Sequence, residues 1–143
     1  MIRKRFVAAA LAVFAAGFLA GQAFDGGNAE AQGRKVFELR TYTSPEGRLD
    51  DLLERFRDDT MRIFEKHGME NVGYFVPTDA PASANTLVYI LAHDSRDAAT
   101  KSWEAFRADP EWKAVTERTQ ANGPIVSNVV SVFLEATDFS PMK

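Results

Sequence analysis

The 143-residue chain has no cysteine. Disulfides, thiolate metal sites, a thiol nucleophile and a lipid-modified cysteine are all excluded, and stability is left to packing and hydrogen bonding. Histidine is scarce too. The only two are His67 and His93, which fall in no ligand spacing, so no tight metal site is expected. The sequence has no phosphate-binding loop and no dinucleotide fingerprint, and nothing in it calls for a cofactor. No Ser–His–Asp or Ser–Lys arrangement is readable. A basic stripe is missing as well. The 17 basic and 20 acidic side chains are interspersed and sum to −3, so nucleic acid is not expected as a partner.

Long apolar runs are absent apart from one. Arg3-Lys4-Arg5 precedes an apolar stretch from Phe6 to Ala20. A basic start, a short apolar stretch and a small-residue site make a secretory leader. Cleavage is expected after Ala31, in Ala29-Glu30-Ala31, with Gly21-Gln22-Ala23 as the other candidate. The stretch is short for a membrane span, which takes about 20 apolar residues. It approaches that length only over residues 6–24, and only if left uncleaved would it anchor the chain to a membrane. The reading is therefore a signal peptide or anchor over 1–31, a linker over 32–35, a domain over 36–138 and a tail over 139–143. The domain is expected to be exported, periplasmic or secreted.

Apolar residues make up 45% of the chain, enough for a core. Residues 35–43 alternate, with Phe37, Leu39 and Thr41 on one side and Glu38, Arg40 and Tyr42 on the other, which predicts a strand. Ser44-Pro45-Glu46-Gly47 is a turn. Leu49, Leu52, Leu53, Phe56, Thr60, Ile63, Phe64 and His67 then follow helical spacing up to a stop at Gly68. The other face of that helix reads as solvated, with pairs such as Arg55 with Asp59. Strands follow over 69–77 and 86–93, separated by a polar loop. Ser95 and Asp109-Pro110 start two further helical segments. Gly123-Pro124 ends the second, and a last strand covers 126–135.

The order β-α-β-β-α-β, with a hairpin in the middle and right-handed crossovers, gives a ferredoxin-like α+β fold with a four-stranded antiparallel sheet. Helices can cover one face of that sheet, yet the strands carry large apolar side chains on both. A homodimer through the sheet face follows as the expectation. Burying roughly 600 Å² of apolar surface contributes about 15 kcal/mol before the cost of association.

Several strings resemble the NIPSNAP family: Glu38-Leu39-Arg40-Thr41-Tyr42, His67-Gly68, Gly73-Tyr74-Phe75, Ala92-His93-Asp94-Ser95 and Asp109-Pro110-Glu111-Trp112. The resemblance implies that the fold pairs into a dimeric α+β barrel. That superfold also serves cofactor-poor monooxygenases, haem-degrading enzymes and stress-response proteins. It carries over no catalytic residues.

Two functions stay open. One is a binding protein of undetermined role that holds a small apolar ligand. The other is a cofactor-independent monooxygenase- or isomerase-like enzyme with a pocket between the first helix and the sheet. His67 is the candidate catalytic base, against a plain role at the helix C-terminus. Arg40, Tyr42, Tyr74, Tyr89, Trp103 and Trp112 are the candidate ligand-binding residues. The competing reading for the aromatics, Phe106 included, is core packing. For Glu38 and Arg40 it is a buried ion network between subunits. His93 and Asp94 are neighbours on a strand and point to opposite faces, which works against a side-chain pair.

Overall fold

The computed structural model describes residues 34–143. The expected leader, both cleavage sites and the possible anchor over 6–24 lie outside the described residues. Four strands, β1 (Val36–Thr43), β2 (Glu70–Phe75), β3 (Thr86–His93) and β4 (Asn128–Glu135), form one antiparallel sheet in the order β2-β3-β1-β4. The helices are α1 (Leu49–Arg55), α2 (Met61–Lys66), α3 (Arg96–Ala108) and α4 (Pro110–Thr119). All four strands carry alternating side chains, and the helices cover one side of the sheet.

α1 and α2 are continuous through a π-helical turn at Phe56–Thr60. Across this wider turn the Thr60 hydroxyl donates to the Arg55 carbonyl at 3.1 Å, a side-chain bond that ties its two ends together. The helix stops at Gly68, whose φ of 75° suits a residue without a Cβ. Met69 N–H to Phe64 O and Gly68 N–H to Glu65 O close the end. Ser95 caps α3 by accepting from Ala98 N–H at 3.0 Å, and Asp109 caps α4 by accepting from Glu111 N–H at 2.9 Å. The core lies between helices and sheet, where Leu52, Ile63, Tyr89, Leu91 and Ile125 are fully buried.

The structure corrects three expectations. The sheet does not close into a barrel. β2 and β4 are both edges, separated by β3 and β1, and four strands are half of the roughly eight that enclose a packed interior. What stands is an open four-stranded antiparallel sheet with flanking helices.

Glu38, Arg40 and Tyr42 do not lie on the bare face awaiting a second subunit. They point under the helices, and Glu38 is bonded to Trp103 of α3. Alternation divides a strand into two faces but does not say which one the helices take.

Arg55 is not on a solvated face either. Only 4% of it is exposed. Its guanidinium lies over the Trp112 ring, 5.1 Å from the centroid, while Asp59 pairs with Arg118 at 2.7 Å.

Candidate functional site

β1 places Glu38 beneath α3 with 1% of its surface exposed. Four donors converge on it: Arg40 Nη1 at 2.6 Å, Ser131 Oγ at 2.7 Å, Trp103 Nε1 at 2.7 Å and His93 Nε2 at 2.9 Å. Burial pushes this carboxyl up, but the bonds from His93, Ser131, Trp103 and Arg40 outweigh it and hold the pKa at about 2. Glu38 is therefore an anion at neutral pH, and it organises four elements of the fold. His93 turns in to Glu38, while its neighbour Asp94 turns out to Lys35 at 2.8 Å.

Of the residues singled out in the sequence, Arg40, Tyr42 and Trp103 come together here. Arg40 Nη2 donates to the Tyr42 hydroxyl at 3.3 Å, and its guanidinium lies 4.2 Å from the centre of a Trp103 ring. Burial lowers the Arg40 pKa, and facing Tyr89, Tyr42 and Glu38 raise it further than burial lowers it.

Tyr74 and Tyr89 belong to the core. Their rings stack at 5.3 Å, and Phe56 packs on both, at 5.7 and 5.1 Å. Burial pushes both phenols up. Tyr74 donates to Asn71. The pocket expected between the first helix and the sheet is thus filled by aromatic rings in contact.

Trp112 stacks obliquely on Phe106 at 4.4 Å. His67 stands apart. Its Nε2 is bonded to Asp109 Oδ2 at 2.7 Å, an oxygen that Lys66 also reaches at 2.7 Å. Lys66, His67 and the Glu111 N–H hold the Asp109 carboxyl far below the ordinary range. The cluster pins the end of α2 to the start of α4.

The sequence reading missed Arg96, Arg107, Ser131 and Phe133. They join Glu38, Arg40, Thr100 and Trp103 around an open cleft of about 270 Å³ between α3 and the edge strand β4. Arg96, Thr100, Trp103 and Arg107 follow i, i+4, i+7, i+11 spacing, a single helix stripe that could have been read from the sequence. Which strand it would face could not. Among the described residues no group of three or more His, Asp or Glu side chains is placed to hold a metal ion.

An open antiparallel sheet, helices on one side and a polar network beneath α3 define a small α+β domain. The NIPSNAP family profile matches residues 37–141, and the chain belongs to that family. A NIPSNAP-family protein of unknown function from Agrobacterium tumefaciens is 26% identical, with a TM-score of 0.66 over 76% of this chain and 94% of that one. An uncharacterised NIPSNAP-domain protein from Burkholderia xenovorans is 25% identical, with a TM-score of 0.63 over 74% of this chain and 98% of that one. A monooxygenase from Streptomyces coelicolor, in complex with nanaomycin D, shares the fold at 14% identity, with a TM-score of 0.54 over 77% of this chain and 94% of that one. No curated protein matches.

Proposed function

We propose that this NIPSNAP domain is an exported binding module that works as a pair, two copies packing bare sheet face on bare sheet face, and that it holds a small ligand. The observation that carries the reading is the uncovered face. Phe75 is 57% exposed, Val130 49%, Val132 47% and Leu134 41%, and all four lie on the side away from the helices, around Leu39 and Ile90.

The occupant that fits is a second copy. The centre of the face carries no charge for a partner of opposite sign to meet. Glu70, which pairs with Lys35 at 3.3 Å, sits at its rim. An apolar centre with a charged rim is the pattern of homodimer interfaces. Three strands of eight residues and an edge strand of six span about 19 Å by, at most, about 26 Å. With side-chain relief that approaches the roughly 800 Å² per partner of a standard interface. The tail brings Thr137, Ser140 and Met142 against Phe37, Ile90 and Leu134, and covers only one end.

Export is supported by the basic and apolar pattern of the first 31 residues. Among the described residues no helix is long and apolar enough to cross a membrane. The rival reading, an enzyme with His67 as base, requires an open pocket beneath α1, where Phe56, Tyr74 and Tyr89 are in contact.

Native mass spectrometry of the protein purified from its own host tests the proposal. A dimer that Val132→Lys converts to monomer is the expected result. A monomer at micromolar concentration overturns it.

A further inference from the structure

The cleft beside β4 lies on the helix side of the sheet, away from the face proposed for pairing. Its charge is lopsided. Three guanidiniums, of Arg40, Arg96 and Arg107, face one carboxylate, Glu38. This happens in a domain whose described residues hold 14 basic and 18 acidic side chains, a balance of −4. Glu38 is already bonded to four donors, among which Arg40 takes its charge at 2.6 Å. Arg96 and Arg107 are exposed and form no ion pair with any described residue. The Arg40 Nε is buried without a hydrogen-bond partner.

The walls are flat. The Arg96 guanidinium lies 3.4 Å from the centre of the Phe133 ring, and Arg40 covers Trp103 at 4.2 Å. Thr100 and Ser131 add hydroxyls to the lining. An arginine laid on an aromatic ring keeps its edge free for an oxyanion while its plane offers a stacking surface. The volume of about 270 Å³ suits a single-ring molecule, since roughly 150 Å³ is enough for benzene.

We propose that this cleft binds a small aromatic carboxylate, held by the free guanidiniums of Arg96 and Arg107 with its ring against the planar groups around Trp103 and Phe133. This names the ligand of the binding module proposed above and rests on that reading only in taking the chain to bind rather than transform it. A carboxylate matches the fork of an arginine with two parallel bonds. A single negative charge suits a cleft with two unmatched cations and a fixed anion on its floor. A phosphate would use the same arginines but leave the flat walls unused.

The test is calorimetric titration of the full chain with benzoate, benzyl alcohol, cyclohexanecarboxylate and inorganic phosphate. The shift of the Trp103 indole N–H resonance is followed in the same samples. Saturable benzoate binding is expected, with benzyl alcohol and cyclohexanecarboxylate each weaker by about tenfold or more. Arg96→Gln and Arg107→Gln each weaken benzoate about tenfold. Both side chains are exposed, so the variants keep the fold, which circular dichroism verifies. Arg107→Lys retains the charge without the fork and is expected to fall between.

Absence of benzoate binding up to about 10 mM overturns the proposal. Binding that survives both glutamine variants overturns it, and so does phosphate binding as tightly as benzoate. Oligomeric state is recorded alongside. A monomer that binds benzoate defeats only the sheet-to-sheet pairing, whereas a dimer that ignores benzoate defeats only this assignment.

Discussion

Trp103 donates its indole N–H to Glu38 at 2.7 Å, fixing the helix α3 to the central strand β1 through a carboxylate that water does not reach. The pKa of Glu38 lies at about 2, against an ordinary 4.5. A carboxyl with a depressed folded-state pKa adds stability that is complete above the ordinary value and is lost as pH falls through the folded value. Glu38 alone is expected to account for about 3 kcal/mol lost between pH 4.5 and 2. Urea denaturation at pH 6, 4 and 2.5 measures it. Glu38→Gln flattens that part of the profile. At neutral pH it costs about 3 kcal/mol, because the half-buried Arg40 is left without its counter-ion.

Arg55 presents the opposite case. It is buried, its Nε has no hydrogen-bond partner, and burial lowers its pKa. Its stacking on Trp112 compensates only in part for the lost hydration. Arg55→Met keeps the length and apolar stem of the side chain and removes the charge. It is expected to stabilise the domain by about 1 kcal/mol, seen as a higher urea midpoint with an unchanged slope. A loss of stability would assign Arg55 a structural partner that the geometry does not reveal.

Much of the fold could be read from local pattern, and the reason is physical. Ser95 and Asp109 accept backbone N–H groups that no helix can satisfy internally, so their positions mark helix starts. Gly68 marks a stop because its left-handed backbone excludes most side chains. What stayed hidden depended on segments far apart in the chain. The period of β1 separates Glu38 from Leu39, but only α3 decides which of them is buried. Arg55 looked solvated because the next residues of its helix are charged. Its burial comes from Trp112, more than fifty residues away. The site suffered most. Arg40 and Trp103 were recognisable as chemistry, whereas Ser131 and Phe133 gained theirs only from β4 lying against β1.

The bond between His67 and Asp109 gives a prediction that separates a structural role from a catalytic one. Asp109 caps α4 and also receives Lys66 and His67. Asp109→Ala is expected to lower the melting temperature by about 5 °C. Asp109→Asn keeps the capping oxygen and recovers part of that loss. His67→Gln, which keeps a donor toward Asp109, is expected to shift melting by no more than about 2 °C and to leave benzoate affinity unchanged. Differential scanning calorimetry and the titration described above check both. A large loss of affinity in His67→Gln would move the binding site to the α2–α4 junction.

Gly73 lets the pairing of sheets be probed without touching the core. It sits next to a register shift in β2, and a Cβ at this position would lie 2.8 Å from Phe75 Cζ. The Phe75 ring therefore rests over the glycine, on the bare face, where 57% of it is exposed. Gly73→Ala pushes the ring aside. A half-exposed ring turns freely, so the isolated domain should change by less than about 0.5 kcal/mol. The face loses the flat ring along its β2 edge, however, and two copies no longer meet as closely there. A protein that pairs melts at higher temperature when more concentrated. The native chain is expected to show that dependence, and Gly73→Ala to weaken it, across a hundredfold range of concentration. Melting that ignores concentration in both proteins would mean that the face stays wet, and that the apolar residues on β4 serve some other contact.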